Sequence, residues 1–352
     1  ISYSFAGGDI KIEDGYVTAL VGGKTVTVTA KTAHHETTFT VTTLIDYGTL
    51  SVSDVYAWVG YPQSEMDIVF EYPEYAETLV YSYDETKISI DAEKKTVTAL
   101  VAGDVQVTAT SDNYSATFTV HAESVNKSSS NYDTSNYNSK VAGYKSEWEN
   151  KGVADSTTLF IGDSFFDSGF WSNFYKDYAG KDVLRAGVSS TTSCDWEVFA
   201  ESYLKYTDPK NIVMHMGTNN VYDDQMTVGQ TVSALQRMFY VIHRQLPDAG
   251  IYYFNISQRS YDATKIGIVA TVNDIMAAWC AGREWITLID TSSLLTNDML
   301  RDSVHPKNEY YYIFTDALAK TDIVISDAPI KEGVSFTAGT FDKTENKFTL
   351  DA

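Results

Sequence analysis

Acyl transfer needs a nucleophile, a base, a group that orients the base, and donors for the negative oxygen of the intermediate. The sequence holds residues of each kind at suggestive places. Gly162-Asp163-Ser164 follows the apolar run 158–161, so the Ser164 hydroxyl can face a crevice where a strand turns toward a helix. His305, one of six histidines, stands three residues after Asp302. That spacing lets Asp302 accept a hydrogen bond from one imidazole nitrogen within a single turn, which leaves the other as a base for Ser164. Pro306 suits the first turn of a following helix and would fix the His305 loop. Gly187 has no side chain, so its N–H can come close to a ligand. Asn219 offers an amide donor. With the Ser164 N–H these make three candidate donors, and losing one such donor typically costs about 3–4 kcal/mol of transition-state stabilisation.

The elements that must position these residues are legible as strand-helix alternation from Ser156 onward. Short apolar runs at 158–161, 182–185, 212–216, 251–255 and 285–289 predict strands. Helices are expected near 170–179, 194–205, 228–246 and 264–281, with a last one at 307–320. Such alternation implies a parallel sheet covered on both faces, with its active site beyond the carboxyl ends of the strands. Ser164, Gly187 and Asn219 each fall at such an end. His305 follows the last strand.

The ordered set Ser164, Gly187, Asn219, His305 resembles the signature of the GDSL/SGNH hydrolases, over about 155–322. Gly162-Asp163-Ser164 matches the first block of that family, Gly217-Thr218-Asn219-Asn220 the third, and Asp302-x-x-His305-Pro306 the fifth. In the second block, Leu184-Arg185-Ala186-Gly187-Val188-Ser189-Ser190 keeps Gly187 but departs at its flanks. Asn220 replaces the usual Asp, which points to an altered structural hydrogen bond. The resemblance implies a flavodoxin-like three-layer α/β fold, Ser164, His305 and Asp302 as catalytic residues, an oxyanion hole of Ser164, Gly187 and Asn219, ester hydrolysis, and no cofactor or required metal.

Upstream, residues 17–41 (VTALVGGKTVTVTAKTAHHETTFTV) repeat as 97–120 (VTALVAGDVQVTATSDNYSATFTV), 80 residues on. The alternation predicts half-buried strands, with turns at Gly22-Gly23 and at 102–104. The repeat resembles bacterial immunoglobulin-like domains of group 2. The expected organisation is a partial immunoglobulin-like domain at 1–43, a second at 44–122, a Ser-, Asn- and Tyr-rich linker at 123–150, a hydrolase domain at 151–322, and a β extension or the start of a further module at 323–352. The first copy lacks its front half, so the chain is expected to begin inside a longer protein. No leader pattern follows Ile1, and localisation is inferred from the resemblance as extracellular or on the bacterial cell surface.

The formal net charge of −21, from 47 acids against 26 bases, argues against nucleic acid and anionic membrane surfaces as partners. No apolar run approaches the length of a membrane span. Cys194 and Cys280 sit in no CxxC or Cys/His cluster, which argues against a zinc site. They read as two separate thiols in helices. Asp163 reads as structural. Phe166, Phe170, Phe174 and Tyr178 recur every four residues and read as a core face. Trp171 and Trp196 either border the crevice as substrate-binding residues or pack in the core; spacing does not separate the two. His215, inside a buried strand, reads as a core histidine. The substrate expected from the resemblance is an acylated, above all O-acetylated, carbohydrate. Two alternatives stay open: an esterase or lipase on small acyl esters or lipids, and a glycan-binding surface protein with a scaffold-like hydrolase domain.

Overall fold

The computed structural model describes residues 1–151, 157–204, 207–257, 263–328, 339–342 and 347–350. They divide into two compact units, Ile1–Ser124 and Val125–Ala352.

The first unit is built of antiparallel hairpins, and the sequence repeat is also a structural repeat. In the first copy Ile10–Glu13 pairs with Tyr16–Ala19, and Thr25–Lys31 pairs with Glu36–Thr42. In the second, Ile88–Asp91 pairs with Thr96–Ala99, and Gly103–Thr110 pairs with Ser115–Glu123. Asp14 and Gly15 both take positive φ (50° and 83°) in the first tight turn, a conformation that Asp-Gly tolerates well. In the second copy Val55–Trp58 adds to Ser115–Glu123 in parallel, completing a four-stranded sheet. That sheet and a three-stranded one share an apolar core of Val55, Ile88, Val97, Val107, Phe118 and Val120. The alternating burial along Gly103–Thr110 is the period of two that places Val105, Val107 and Ala109 inside.

The second unit is a mixed α/β fold around a five-stranded parallel sheet. Its strands are β1 (Thr158–Gly162), β2 (Val183–Gly187), β3 (Asn211–His215), β4 (Gly250–Phe254) and β5 (Ile286–Ile289), in the order β2-β1-β3-β4-β5. β1 to β4 are almost wholly buried and β5 half so, which is why they read as short, mainly apolar runs. Its longer helices are α1 (Asn138–Lys151), α2 (Ser193–Tyr203), α3 (Val228–Gln245), α4 (Ala263–Ala281) and α5 (Tyr312–Leu318), with two single turns at Phe174–Asp177 and Thr218–Tyr222. On one face Phe254 of β4 meets Phe314 of α5, with ring centroids 5.2 Å apart. On the other, the next residue back, Tyr253, meets Phe239 of α3 at 4.9 Å. Helices therefore cover both faces.

One segment departs clearly from the sequence reading. The stretch 123–150, expected as a linker, contains a 3-10 turn at Ser130–Tyr132 and all of α1 but its last residue, within the second unit. Val141 and Trp148 of α1 are each 4% exposed. In the tail, 321–328 runs along the sheet's amino end, where Asp182 N–H donates to Ser326 O and Asn211 Nδ2 to Val324 O. Gly339–Asp342 and Lys347–Leu350 form a hairpin. Cys194 and Cys280 are both free and buried.

Candidate active site

Ser164 opens a 3-10 turn, Ser164–Phe166, directly after β1. Two features make this turn. Gly162 has φ +137°, and a Cβ there would lie 2.2 Å from the His215 carbonyl oxygen on β3, so only glycine fits the strand end. Asp163 then caps the turn, its Oδ1 accepting from Phe165 N–H at 3.0 Å. The same fully buried carboxylate meets Nδ1 of His215 at 3.0 and 3.1 Å. Phe165 stacks on the His215 ring at 3.8 Å. His215 is thus held by the Ser164 turn, and among the described residues its Nε2 has no hydrogen-bond partner.

His305 lies in a loop closed on itself by Arg301 N–H donating to His305 O and by the Leu300–Pro306 bridge. Its Nε2 is 2.7 Å from Ser164 Oγ. Its Nδ1 is 3.0 Å from both oxygens of Asp302. Asp302 Oδ1 also accepts the N–H groups of Val304 (2.9 Å) and His305 (2.7 Å). Partial burial pushes the Asp302 carboxyl up, but these hydrogen bonds outweigh it and hold it below the ordinary carboxylate range. An ionised Asp302 accepts, so Nδ1 carries the proton and Nε2 presents a lone pair to the serine hydroxyl. Ser164 is 6% exposed and His305 9%, which leaves the pair only narrowly open to solvent.

Asn219 is 5% exposed in the helical turn Thr218–Tyr222 after β3. Its Nδ2 donates to Thr191 O at 2.8 Å. One of the two amide protons is thereby fixed and the other is directed elsewhere. Asn220 is a structural neighbour: it accepts from Ser193 N–H and donates to Ser193 Oγ, tying the turn to the start of α2.

Gly187 is where the structure departs from the expected set. Val188 N–H donates to Gly162 O of β1, whereas Gly187 O accepts from Tyr144 OH of α1 at 2.9 Å. Successive residues of a strand turn their N–H and C=O to opposite edges. The Gly187 N–H therefore faces α1 and not Ser164. Glycine is needed here for closeness: a Cβ would lie 2.1 Å from the Phe166 carbonyl carbon and 2.2 Å from Asp167 N. Its absence lets the Ser164 turn sit directly on β2.

The two tryptophans are core residues. Trp171 is fully buried, stacked on Tyr311 at 4.6 Å, with Nε1 donating to Asp177. Trp196 is 2% exposed and donates from Nε1 to Gly162 O (3.0 Å) and Thr191 Oγ1 (3.1 Å). Neither borders the crevice, because both rings turn in toward the sheet. The aromatics that do meet the site are Phe170, stacked on His305 with centroids 3.7 Å apart and with Arg301 over it at 5.0 Å, and Phe165, tilted against His305 at 5.5 Å. The four-residue stripe hid Phe170 among true core residues. Among the described residues, no group of three or more His, Cys, Asp or Glu could hold a metal ion. Among them, too, no helix is long and apolar enough to cross a membrane.

No protein-family model matches the chain, and no curated protein matches it. Solved structures similar to it include acyl and ester hydrolases, aligned over about half of this chain. A GDSL-like lipase from Bacteroides thetaiotaomicron shares 17% identity over 51% of this chain and 96% of its own, with a TM-score of 0.41. A carbohydrate esterase family 3 protein from Talaromyces cellulolyticus shares 18% over 46% and 93%, at 0.37. An acetyl-xylooligosaccharide esterase from Geobacillus shares 16% over 48% and 94%, at 0.40.

Proposed function

We propose that the protein is a serine ester hydrolase in which Ser164 is the nucleophile, His305 the general base and acid, and Asp302 the group that orients His305. One observation carries the reading: Ser164 Oγ, His305 Nε2 and Nδ1, and Asp302 form a continuous line of contacts at 2.7 and 3.0 Å. In the first step Ser164 Oγ attacks the ester carbonyl as its proton passes to His305 Nε2. The negative oxygen is met by Ser164 N–H and the free amide proton of Asn219. The leaving alcohol takes the proton from His305. Water, deprotonated by the same imidazole, then cleaves the acyl-enzyme. Gly187 contributes by closeness, since it lets the nucleophile turn rest on β2.

For the substrate, we propose an O-acetyl group on a carbohydrate, and for the protein an exported or cell-surface setting. Two arguments support this. The nucleophile is 6% exposed and its base 9%, under the Phe170 ring, which favours a small acyl group over a long one. The hairpin repeats of the first unit resemble immunoglobulin-like modules that accompany exported bacterial enzymes; this second argument is one of analogy.

The test is acetate release by the purified protein and by Ser164→Ala, on acetylated xylan, acetylated mannan, mucin sugars and a short aryl ester. Release from a glycan that disappears in the variant supports both parts. Release from the aryl ester alone keeps Ser164 and discards the carbohydrate. Full activity in Ser164→Ala overturns the mechanism.

A further inference from the structure

Asp167 is three residues past the nucleophile and is 4% exposed. Its carboxylate is bonded to several parts of the site's framework. Oδ1 accepts Gly169 N–H at 2.9 Å. Oδ2 accepts Ser189 N–H at 3.2 Å and Ser189 Oγ–H at 2.5 Å. Its backbone N–H donates to Ser164 O at 3.1 Å, closing the nucleophile turn, and its carbonyl accepts Phe170 N–H at 3.0 Å.

Each contact leads to a residue of the proposed chemistry. The turn sets Ser164. Gly169 and Phe170 set the ring stacked on His305. Ser189 anchors the turn after β2, where Ser190 takes φ +65° and Thr191 O fixes the Asn219 amide. A buried carboxylate at such a junction needs a counter-charge. Among the described residues, the one cation within ion-pair distance of it is Lys140 of α1, whose Nζ donates to Asp167 Oδ2.

Residues on that helix and just ahead of it grip the same loops. Tyr137 OH donates to Ser190 O at 3.1 Å and Tyr144 OH to Gly187 O at 2.9 Å. Tyr137, Lys140 and Tyr144 are spaced by three and four residues, so they share one face with the buried Val141.

We propose that Lys140 is a positioning residue for ester hydrolysis, acting through Asp167 on Ser164, on Phe170 over His305, and on the turn that holds Asn219. This rests on the esterase reading above. Lys140 touches no reacting atom. Its ammonium keeps the Asp167 carboxylate in place, and α1 becomes part of the catalytic unit although it precedes the sheet. Without Lys140 the carboxylate would have to take up a proton or draw in water, and either change loosens three loops together.

The test uses the full chain with Lys140→Met, Lys140→Gln and Lys140→Arg, and with Lys145→Met as a control on the same helix, where Lys145 pairs with Glu149. Kinetics on an acetyl aryl ester should show kcat lowered about 10- to 100-fold in Met and Gln, the scale expected when reacting groups are misplaced by an ångström or less. KM should change little, Arg should restore most of kcat, and Lys145→Met should match wild type. Hydrogen exchange provides a readout independent of turnover: amides in 165–170 and 188–191 should exchange faster in Met and Gln and not in Arg. Wild-type kcat in Lys140→Met, or unchanged exchange in those segments, overturns the proposal. So does an Arg variant as slow as Met, which would mean that charge at this position is not what matters. A wild-type protein inactive on every ester refutes the esterase reading, while the exchange measurement still decides whether Lys140 holds the loops.

Discussion

His305 is bounded by a carboxylate on one nitrogen, a hydroxyl on the other and an aromatic face across its ring. Those three neighbours were unequally visible in the sequence. Asp302 and Ser164 stand in short motifs whose spacing encodes their meeting. Phe170 stands in a stripe of period four that also contains the buried Phe166 and Phe174, and periodicity alone cannot tell which ring faces His305. The same blindness affected Trp171 and Trp196, since burial is a property of the fold and not of spacing. At this scale two outcomes are expected. Asp302→Asn should lower kcat by about 10³- to 10⁴-fold while leaving the fold intact, because the imidazole loses the partner that fixes its tautomer. Initial-rate kinetics and a circular-dichroism spectrum check this. Phe170→Ala should lower kcat more modestly, about three- to tenfold, in line with the roughly 0.5–1.5 kcal/mol of an aromatic pair; a variant as fast as wild type would remove Phe170 from the site.

Helix α2 shows how an element is started and what its start costs. Thr192 and Asp195 form a reciprocal capping box. Asp195 is 4% exposed, and burial pushes its carboxyl up to about 6, against the pull of the Thr192 hydrogen bonds. The unfolded carboxyl titrates near 3.9. The folded form therefore holds its proton more tightly than the unfolded chain, so this group favours folding most below about pH 4 and progressively less up to about pH 6. The loss is on the order of 2–3 kcal/mol. Asp195→Asn should raise the melting temperature at pH 7.5 and leave it nearly unchanged at pH 4. A melt series across that range checks the sign. Strand ends were legible because buried parallel strands are short apolar runs bounded by Gly and Asn. Helix α1 was not, since its core-facing side carries Val141 and Trp148 as buried apolar residues and otherwise presents Lys140 and Tyr144, with Tyr137 just ahead of its first turn. A polar composition concealed a docked helix.

For the whole molecule, each of the two units has its own apolar core, one around Val107 and Phe118 and one around Phe160 and Phe254. The change of pattern near Ser156 pointed to a separate α/β part, whereas the repeat at 80-residue spacing was read as two domains, 1–43 and 44–122, and both fall within the first unit. The place of the boundary was not readable, because the residues that join the second unit look like a spacer. The break falls after Ser124. A chain of residues 125–352 should therefore fold and keep the esterase activity proposed for the full chain, whereas one of 152–352, lacking α1, should lose most of it. Parallel expression, melting curves and ester kinetics compare the two.

The two cysteines bear on how such experiments can be done. Cys194 and Cys280 are 2% and 3% exposed, and burial pushes their thiols up to about 11 and about 12. A thiol of that kind is neither accessible nor ionised near neutral pH, so alkylating and disulfide reagents should leave the native protein unmodified until it is denatured. Titration with a chromogenic disulfide, before and after guanidinium, tests this. A single cysteine introduced on the surface would then be the one group that a maleimide dye or spin label finds. The protein can be tagged at a chosen loop and watched spectroscopically without first removing its native sulfur.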